Sequence, residues 1–327
     1  LKALVTGADG LLGSNLVREL LEEGLSVRAF VQPGSPSQSL EDLPLEICTG
    51  DLLDDSNTLA KSIAGCDVVF HCAAITDLWA DAELTWWVNF EGTRRILDAS
   101  ISADINRFIF VGSASSFQFG PLNSPGCEGG SLPDEYRGLP YMESKRKALE
   151  VVLKAVTERG LDAVVVMPTF LLGPHDFRPS SGELIRQFIT RGFRFASPGG
   201  RNFVYAGDAA KAMAAALHRG EKGECYILGG ANLSYFDFFS KVAKIAGVPP
   251  PRSVLPGFVI LLAGLLGSIS AKLTAKKAAL NLTMARLSLL ETYYSSAKAV
   301  KSLGMPQTPI EKAIEDSLQS LKDHGHL

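Results

Sequence analysis

One stretch near the start, residues 5–13 (VTGADGLLG), limits the folds open to this chain more than any other. The β-rich run KALVTG leads into Gly7, Gly10 and Gly13. The run LLGSNLVRELLEEG follows, with Leu12, Leu16 and Leu20 at helical spacing and a stop at Gly24. In such a strand–turn–helix, one glycine permits the tight turn and another lets a diphosphate approach the backbone. The third permits close packing of helix on strand. The helix N-terminus then offers unpaired N–H groups and a favourable dipole to the anion, so Leu11, Leu12 and Gly13 are candidate contacts. The competing reading is a tight structural turn without a ligand.

The first half continues the same alternation. SVRAFV, LEICTGD, CDVVFHCAA, RFIFVGSAS and DAVVVMP read as strands, with helices at 56–64, 82–103 and 143–159 between them. Near-continuous apolar strands separated by helices call for a parallel sheet covered on both faces. The expected fold class is α/β, a Rossmann-type doubly wound parallel sheet. After residue 168 Pro, Gly and Phe become frequent, but a helix at 208–218 and a strand at 225–228 return to the sheet pattern. The nucleotide domain is therefore expected to span 1–168 plus about 207–228. Segments of about 169–206 and 229–327 form a smaller, discontinuous substrate lobe.

Composition excludes some classes. A net charge of −3 gives no electrostatic reason for a nucleic-acid partner. The five cysteines are scattered without a C-x-x-C, as in a reduced cytoplasmic protein. The five histidines have no metal-ligand spacing, and His324 and His326 are expected to be exposed in the tail. The chain opens at Leu1, as expected of a sequence that begins slightly inside its gene product, and no signal peptide is predicted. The apolar run at 254–270 contains Pro256 and three glycines and is short for a membrane span. A buried or substrate-side helix is expected there, with peripheral membrane contact as the alternative.

The G-x-x-G-x-x-G spacing resembles that of the short-chain dehydrogenases, and specifically their extended branch. Four further segments carry the resemblance in order: GDLLD with Asp51 and Leu52, HCAA with Cys72, Ala73 and Ala74, VNFEGT with Asn89, and MPTFLLGP with Pro168. The resemblance implies cofactor contacts at those positions and covers essentially the whole chain. It also makes Tyr141 and Lys145 of YMESK the catalytic pair. The physics agrees: i and i+4 share a helix face, and an ammonium favours the phenolate, lowering a pKa that is otherwise near 10. Tyr141 then serves as general acid or base. Lys145 would also hold the nicotinamide ribose. A surface pair without chemistry is the bland alternative. The third member is a serine after the preceding strand, Ser113 by forward count and Ser115 by counting back from Gly120.

The end of the second strand, VRAFVQPGS, has no acid to hold a ribose diol, and Gln32 stands where related reductases carry Arg. NADP is the expected cofactor, with NAD as the alternative. Arg28 is expected to point back towards the phosphate, with Ser35 and Ser37 as donors.

The partner is a small-molecule substrate, with contacts expected from Thr76, Trp79, Ser113, Phe177 and Arg201. The closest resemblance is to dihydroflavonol-reductase-like and hopanoid-associated sugar-epimerase-like proteins. The first implies reduction of a ketone or aldehyde on a fairly apolar substrate, with Trp79, Trp86 and Trp87 available for an apolar pocket or for ordinary packing. The second implies a nucleotide-sugar epimerase, in which Arg201 of RNFVYAGDAA grips the diphosphate and Asp208 caps a helix. Acidic residues are missing after Ser113, so dehydration is not expected. A cofactor-binding sensor without turnover is the third reading. His175 is a further possible substrate contact. The helices near 86–103 and 143–159 allow a homodimer.

Overall fold

A computed structural model describes residues 1–274 and 280–327, without the side chains of 272–274. The chain opens as β1 (Lys2–Thr6), α1 (Leu11–Glu22), β2 (Ser26–Val31), β3 (Glu46–Thr49), α2 (Ser56–Ile63) and β4 (Val68–His71). Next come α3 (Ala82–Trp86), a π-helical segment Trp87–Gly92, α4 (Thr93–Ser102), β5 (Arg107–Val111), α5 (Pro140–Arg159) and β6 (Ala163–Pro168). These strands, joined by β10 below, form one parallel sheet in the order β10-β6-β5-β4-β1-β2-β3. The order reverses between β1 and β4, and ligands of open α/β sheets sit at such a switch, beyond the strands' C-terminal ends.

The remainder is β7 (Phe170–Leu172), α6 (Gly182–Arg191), β8 (Phe195–Ala196), β9 (Gly200–Tyr205), α7 (Ala206–Arg219) and β10 (Cys225–Leu228). It ends with β11 (Ala231–Ser234), α8 (Tyr235–Ala246), β12 (Ser253–Val254), α9 (Gly257–Thr274), α10 (Leu282–Leu287), β13 (Glu291–Thr292), α11 (Ala297–Leu303) and α12 (Ile310–Asp323). β9 is the centre of a second sheet, paired with β7, β11 and β13.

Alternating side chains send the large sheet's apolar residues to both faces. One face packs against α1 and α7, with Leu16, Leu20 and Met213 buried. The other packs against α2, α4 and α5 and buries Phe108, Phe110 and Leu149. Each fully buried phenylalanine of this kind contributes about 1.5–3 kcal/mol. A third cluster, around Phe188, Phe203, Phe238 and Ile314, holds α6, α8 and α12 on β9. Asp208 is not a helix cap: Tyr205 occupies that position, and the Asp208 carboxylate accepts from the N–H and hydroxyl of Thr308, at 2.6 and 2.7 Å. It thereby moors the segment leading into α12.

Two expected helices differ. The segment 82–103 is interrupted by a π turn, and such turns accompany functional sites. The helix at 254–270 is not buried. Leu262, Leu265 and Leu266 are exposed, and Gly264 and Ser268 face α10.

Candidate active site

The glycine loop has the form that its spacing requires. Gly7 has φ +63°, and a Cβ there would lie 2.7 Å from the Ala73 Cα. A Cβ on Gly13 would lie 2.1 Å from the Gly7 carbonyl oxygen, so only glycine lets α1 start this close to β1. Gly10 differs: a Cβ there meets nothing nearer than 3.4 Å, so the loop is open on that side. Gly10 is also the N-cap of α1, without a capping side chain, and the first turn carries no acid. Backbone N–H groups and helix dipole thus meet an open face, and the cradle fits the diphosphate of a dinucleotide.

The ends of β1 and β4 are held by one polar network. The Thr6 hydroxyl accepts from the Ala73 N–H at 3.2 Å and lies 2.8 Å from His71 Nδ1. His71 Nε2 lies 3.0 Å from the Thr93 hydroxyl, which donates to the Asn89 carbonyl at 2.7 Å. With each hydroxyl used in this way, His71 is the neutral tautomer protonated on Nε2. Burial, reinforced by the Lys145 charge, pushes its pKa down to about 3. Asn89 sits in the π turn and clamps Ile75 with both ends of its amide, at 2.8 and 2.9 Å. The same amide donates to Ser144, whose hydroxyl donates to the Tyr141 carbonyl, so the strap after β4 and the start of α5 share one anchor.

Ser113 follows β5 and caps a short 3₁₀ turn of Ala114–Ser116. Met167 packs so closely on Gly112 that a Cβ there would lie 2.3 Å from its sulfur. Gly112 is therefore part of what sets Ser113 in place. The Ser113 hydroxyl lies 2.7 Å from that of Ser115 and is the polar group that acts to lower the Tyr141 phenol. It is Ser113 that reaches the phenol, and Ser115 stands behind it.

Lys145 is buried. It donates to the Val111 carbonyl at 2.6 Å, and its ammonium lies 4.9 Å from the Phe110 ring centre. Burial lowers its pKa to about 8, and the same burial raises the neighbouring Cys72 thiol to about 12. The electrostatics around Tyr141 differ from the simple pair picture. Burial raises the phenol, and the hydrogen bond from Ser113 is what lowers it. The ammonium is tied to the end of β5 through the Val111 carbonyl.

Asp51 receives a hydrogen bond from Gln32 at 3.0 Å and fixes its own turn through the Leu53 N–H. Leu52 packs on Gly92 beneath it. Pro168 ends β6 opposite Leu228. The 174–178 segment crosses the glycine loop: the Pro174 carbonyl accepts from Asn15, and Arg178 donates to Asp9 at 2.6 Å. Asp9 also accepts from the Ser35 hydroxyl. This Asp9–Arg178 pair is a feature the motif reading missed, because the partners lie far apart in the chain.

Several expected positions change. Arg28 does not reach the phosphate side; it pairs with Glu46 at 2.8 Å and donates to the Ser62 and Ala64 carbonyls near the opposite strand ends. Phe177 does not join the substrate rings: it lies 3.8 Å from the His324 ring, on the strap over the glycine loop. His175 belongs to the same strap, with burial and the nearby Arg18 charge holding its pKa down at about 4. His324 and His326 are half-buried, bonded to the Ser320 and Phe177 carbonyls. Trp79, Trp86 and Trp87 are exposed; an Asp77 turn sets Trp79, while Trp86 packs on Phe90. Thr76 is exposed beside that turn.

Arg201, on β9, donates to the Tyr235 hydroxyl at 3.1 Å and lies over the Phe170 ring at 4.6 Å. Its charge also acts on the buried Tyr136 and Tyr294, both raised by burial. Among the described residues no carboxylate pairs with it.

A Rossmann sheet with this cradle defines a dinucleotide-dependent enzyme class. Residues 3–229 match the NAD dependent epimerase/dehydratase family, and the chain belongs to that family. It is 32% identical to a Synechocystis sp. protein provisionally named dihydroflavonol 4-reductase, over 99% of this chain and 95% of that one. A Stigmatella aurantiaca protein, 4-hydroxy-2-methyl-3-oxo-4-farnesyl-3,4-dihydroquinoline-1-oxide ketoreductase, is 33% identical, over 78% of this chain and 76% of its own. The solved structure of gox2253 superposes with a TM-score of 0.88 at 32% identity, over 99% of both chains. The protein is an NAD(P)-dependent oxidoreductase of the extended short-chain dehydrogenase type, which removes the reading of a sensor without turnover.

Proposed function

We propose that this enzyme is an NADP(H)-linked reductase of a ketone or aldehyde on an apolar substrate, with Tyr141 as proton donor. The observation that carries this reading is the Lys145 anchor on the Val111 carbonyl, which ties the helix of Tyr141 to the end of β5 where Ser113 caps its turn and acts on the phenol. The bound reduced nicotinamide supplies the hydride. Ser113 and Tyr141 hold the carbonyl oxygen, Tyr141 passes its phenolic proton to that oxygen, and the alcohol leaves. Lys145 keeps positive charge beside the developing phenolate.

Two features favour NADP(H). Gln32, an amide that donates to Asp51, stands at the β2 end where an acidic residue would hold a ribose diol. Arg178, over Asp9 beside Ser35, is a cation placed for a 2′-phosphate. The relatives named as reductases, and the rings of Phe170, Tyr136, Tyr235 and Tyr294 around Arg201, favour an apolar carbonyl compound.

Arg201 also favours a second reading, a nucleotide-sugar epimerase, because no carboxylate satisfies it. The two readings part on stoichiometry. Mixing the protein with NADPH or NADH and a panel of apolar ketones, aldehydes and UDP-sugars should consume NADPH with a ketone or aldehyde. Conversion of a UDP-sugar without net loss of reduced cofactor would replace the reductase with the epimerase.

A further inference from the structure

The helix α9 is built the wrong way round for a water-exposed element. A surface helix turns its apolar stripe inward and its polar face outward. Here the inward face is made of small and polar residues. A Cβ on Gly264 would lie 2.5 Å from the Ala285 Cβ, and the Ser268 hydroxyl accepts from the Leu282 N–H at 2.9 Å. The outward face carries Phe258, Leu262, Leu265, Leu266 and Ile269, between 44% and 72% exposed. Their spacing of i, i+4, i+7, i+8 and i+11 lines one side of the helix. Contiguous apolar surface of this kind marks a contact with another phase or another molecule.

Charge identifies the contact. From residue 238 to residue 290 the sequence has seven lysines and arginines and no aspartate or glutamate, within a chain of net charge −3. Among the described residues, Arg252 just before α9 and Arg286 on α10 stand beside the apolar stripe. The strand β12, just before α9, pairs with β8, and the Arg252 N–H donates to the Arg194 carbonyl, so these two exposed arginines stand together at that end. Arg286 is exposed on α10, the helix against which α9 packs. No carboxylate pairs with Arg194, Arg252 or Arg286 among the described residues. Phe195 and Val254, one register step apart on the two strands of this ribbon, are exposed apolar residues as well. Among the described residues no helix is long and apolar enough to cross a membrane. An apolar stripe rimmed by cations fits a helix lying in the plane of an anionic bilayer surface, its leucines among the acyl chains and its arginines at the headgroups.

We propose that α9, with the β8–β12 ribbon beside it, docks this protein peripherally on anionic lipid bilayers. Vesicle co-sedimentation of the full chain tests this, using phosphatidylcholine vesicles with and without phosphatidylglycerol. The expected result is binding to the anionic vesicles, weakened by high salt. Leu262→Glu/Leu266→Glu should lower it by more than about tenfold while dinucleotide binding is unchanged. Arg194→Glu/Arg252→Glu, which leaves the leucines in place, should weaken binding to anionic vesicles and remove its salt dependence. Absence of binding at low salt, or binding unchanged in both variants, overturns the proposal. So does a wild-type dimer that ignores vesicles and that Leu262→Glu/Leu266→Glu dissociates, since a second copy then covers the stripe.

Discussion

Lys145 donates to the carbonyl oxygen of Val111 at 2.6 Å, tying the middle of the YMESK helix to the end of β5. Ser113 lies two residues beyond that carbonyl and is the polar group that acts to lower the Tyr141 phenol. The lysine thus does two things from one place. It fixes the distance between α5 and β5, and on the proposed mechanism it supplies a cation to the helix face that carries Tyr141. Replacing Lys145 with Met removes both. We expect a fall of about 100-fold or more in turnover, because the helix that carries the proton donor loses its anchor on β5 and the cation on the face that it shares with Tyr141. Steady-state rates across pH check this.

Gly10 and Gly13 separate binding from folding. Gly13→Ala forces a methyl group against the Gly7 carbonyl and should cost about 1–3 kcal/mol of stability, read by urea unfolding. Gly10→Ala meets no atom nearer than 3.4 Å and should leave stability within about 0.5 kcal/mol. The added methyl occupies the open side of the loop, so dinucleotide affinity should fall by about tenfold, read by cofactor fluorescence. Equal behaviour of the two variants would contradict the assignment of that side to the diphosphate.

His71 gives a pH dependence with a definite sign. Its folded-state pKa is about 3, against an ordinary value of 6.5. Between those values the unfolded chain binds a proton that the folded chain does not, so stability falls as pH drops through this window. The slope approaches 1.4 kcal/mol per unit, to order of magnitude. His71→Asn should flatten this part of the curve. Urea unfolding midpoints from neutral to acid pH give the comparison.

Arg178→Ala tests the cofactor preference. On the proposed NADP(H) reading, losing the Arg178 cation should weaken NADPH by about tenfold and NADH by less than about twofold. Equal effects on both would place Arg178 in a structural role with Asp9.

Much of the nucleotide half was legible because its chemistry is local. Gly7, Gly10 and Gly13 are read from spacing alone, and the strands around them are short apolar runs bounded by turns. Ser113 was harder, since its position depends on Gly112 packing over Met167, a contact between neighbouring strands. The π turn at Asn89 was invisible for a similar reason: nothing in its composition breaks a helix, and what holds it is a clamp on Ile75. The Phe177 strap and the Asp9–Arg178 pair depend on where the last helix and the glycine loop meet in space. For α9 the composition announced an apolar helix. Which side it would bury was decided by Gly264 and Ser268, the two positions that allow close approach to α10.

The most direct test of the central claim compares wild type with Tyr141→Phe, using NADPH and the apolar carbonyl compound turned over best. The account predicts unchanged NADPH affinity by fluorescence and a fall of about 100- to 10,000-fold in turnover. A variant that binds NADPH normally and reduces the carbonyl at close to the wild-type rate would contradict it, because the proton would then come from a group other than Tyr141.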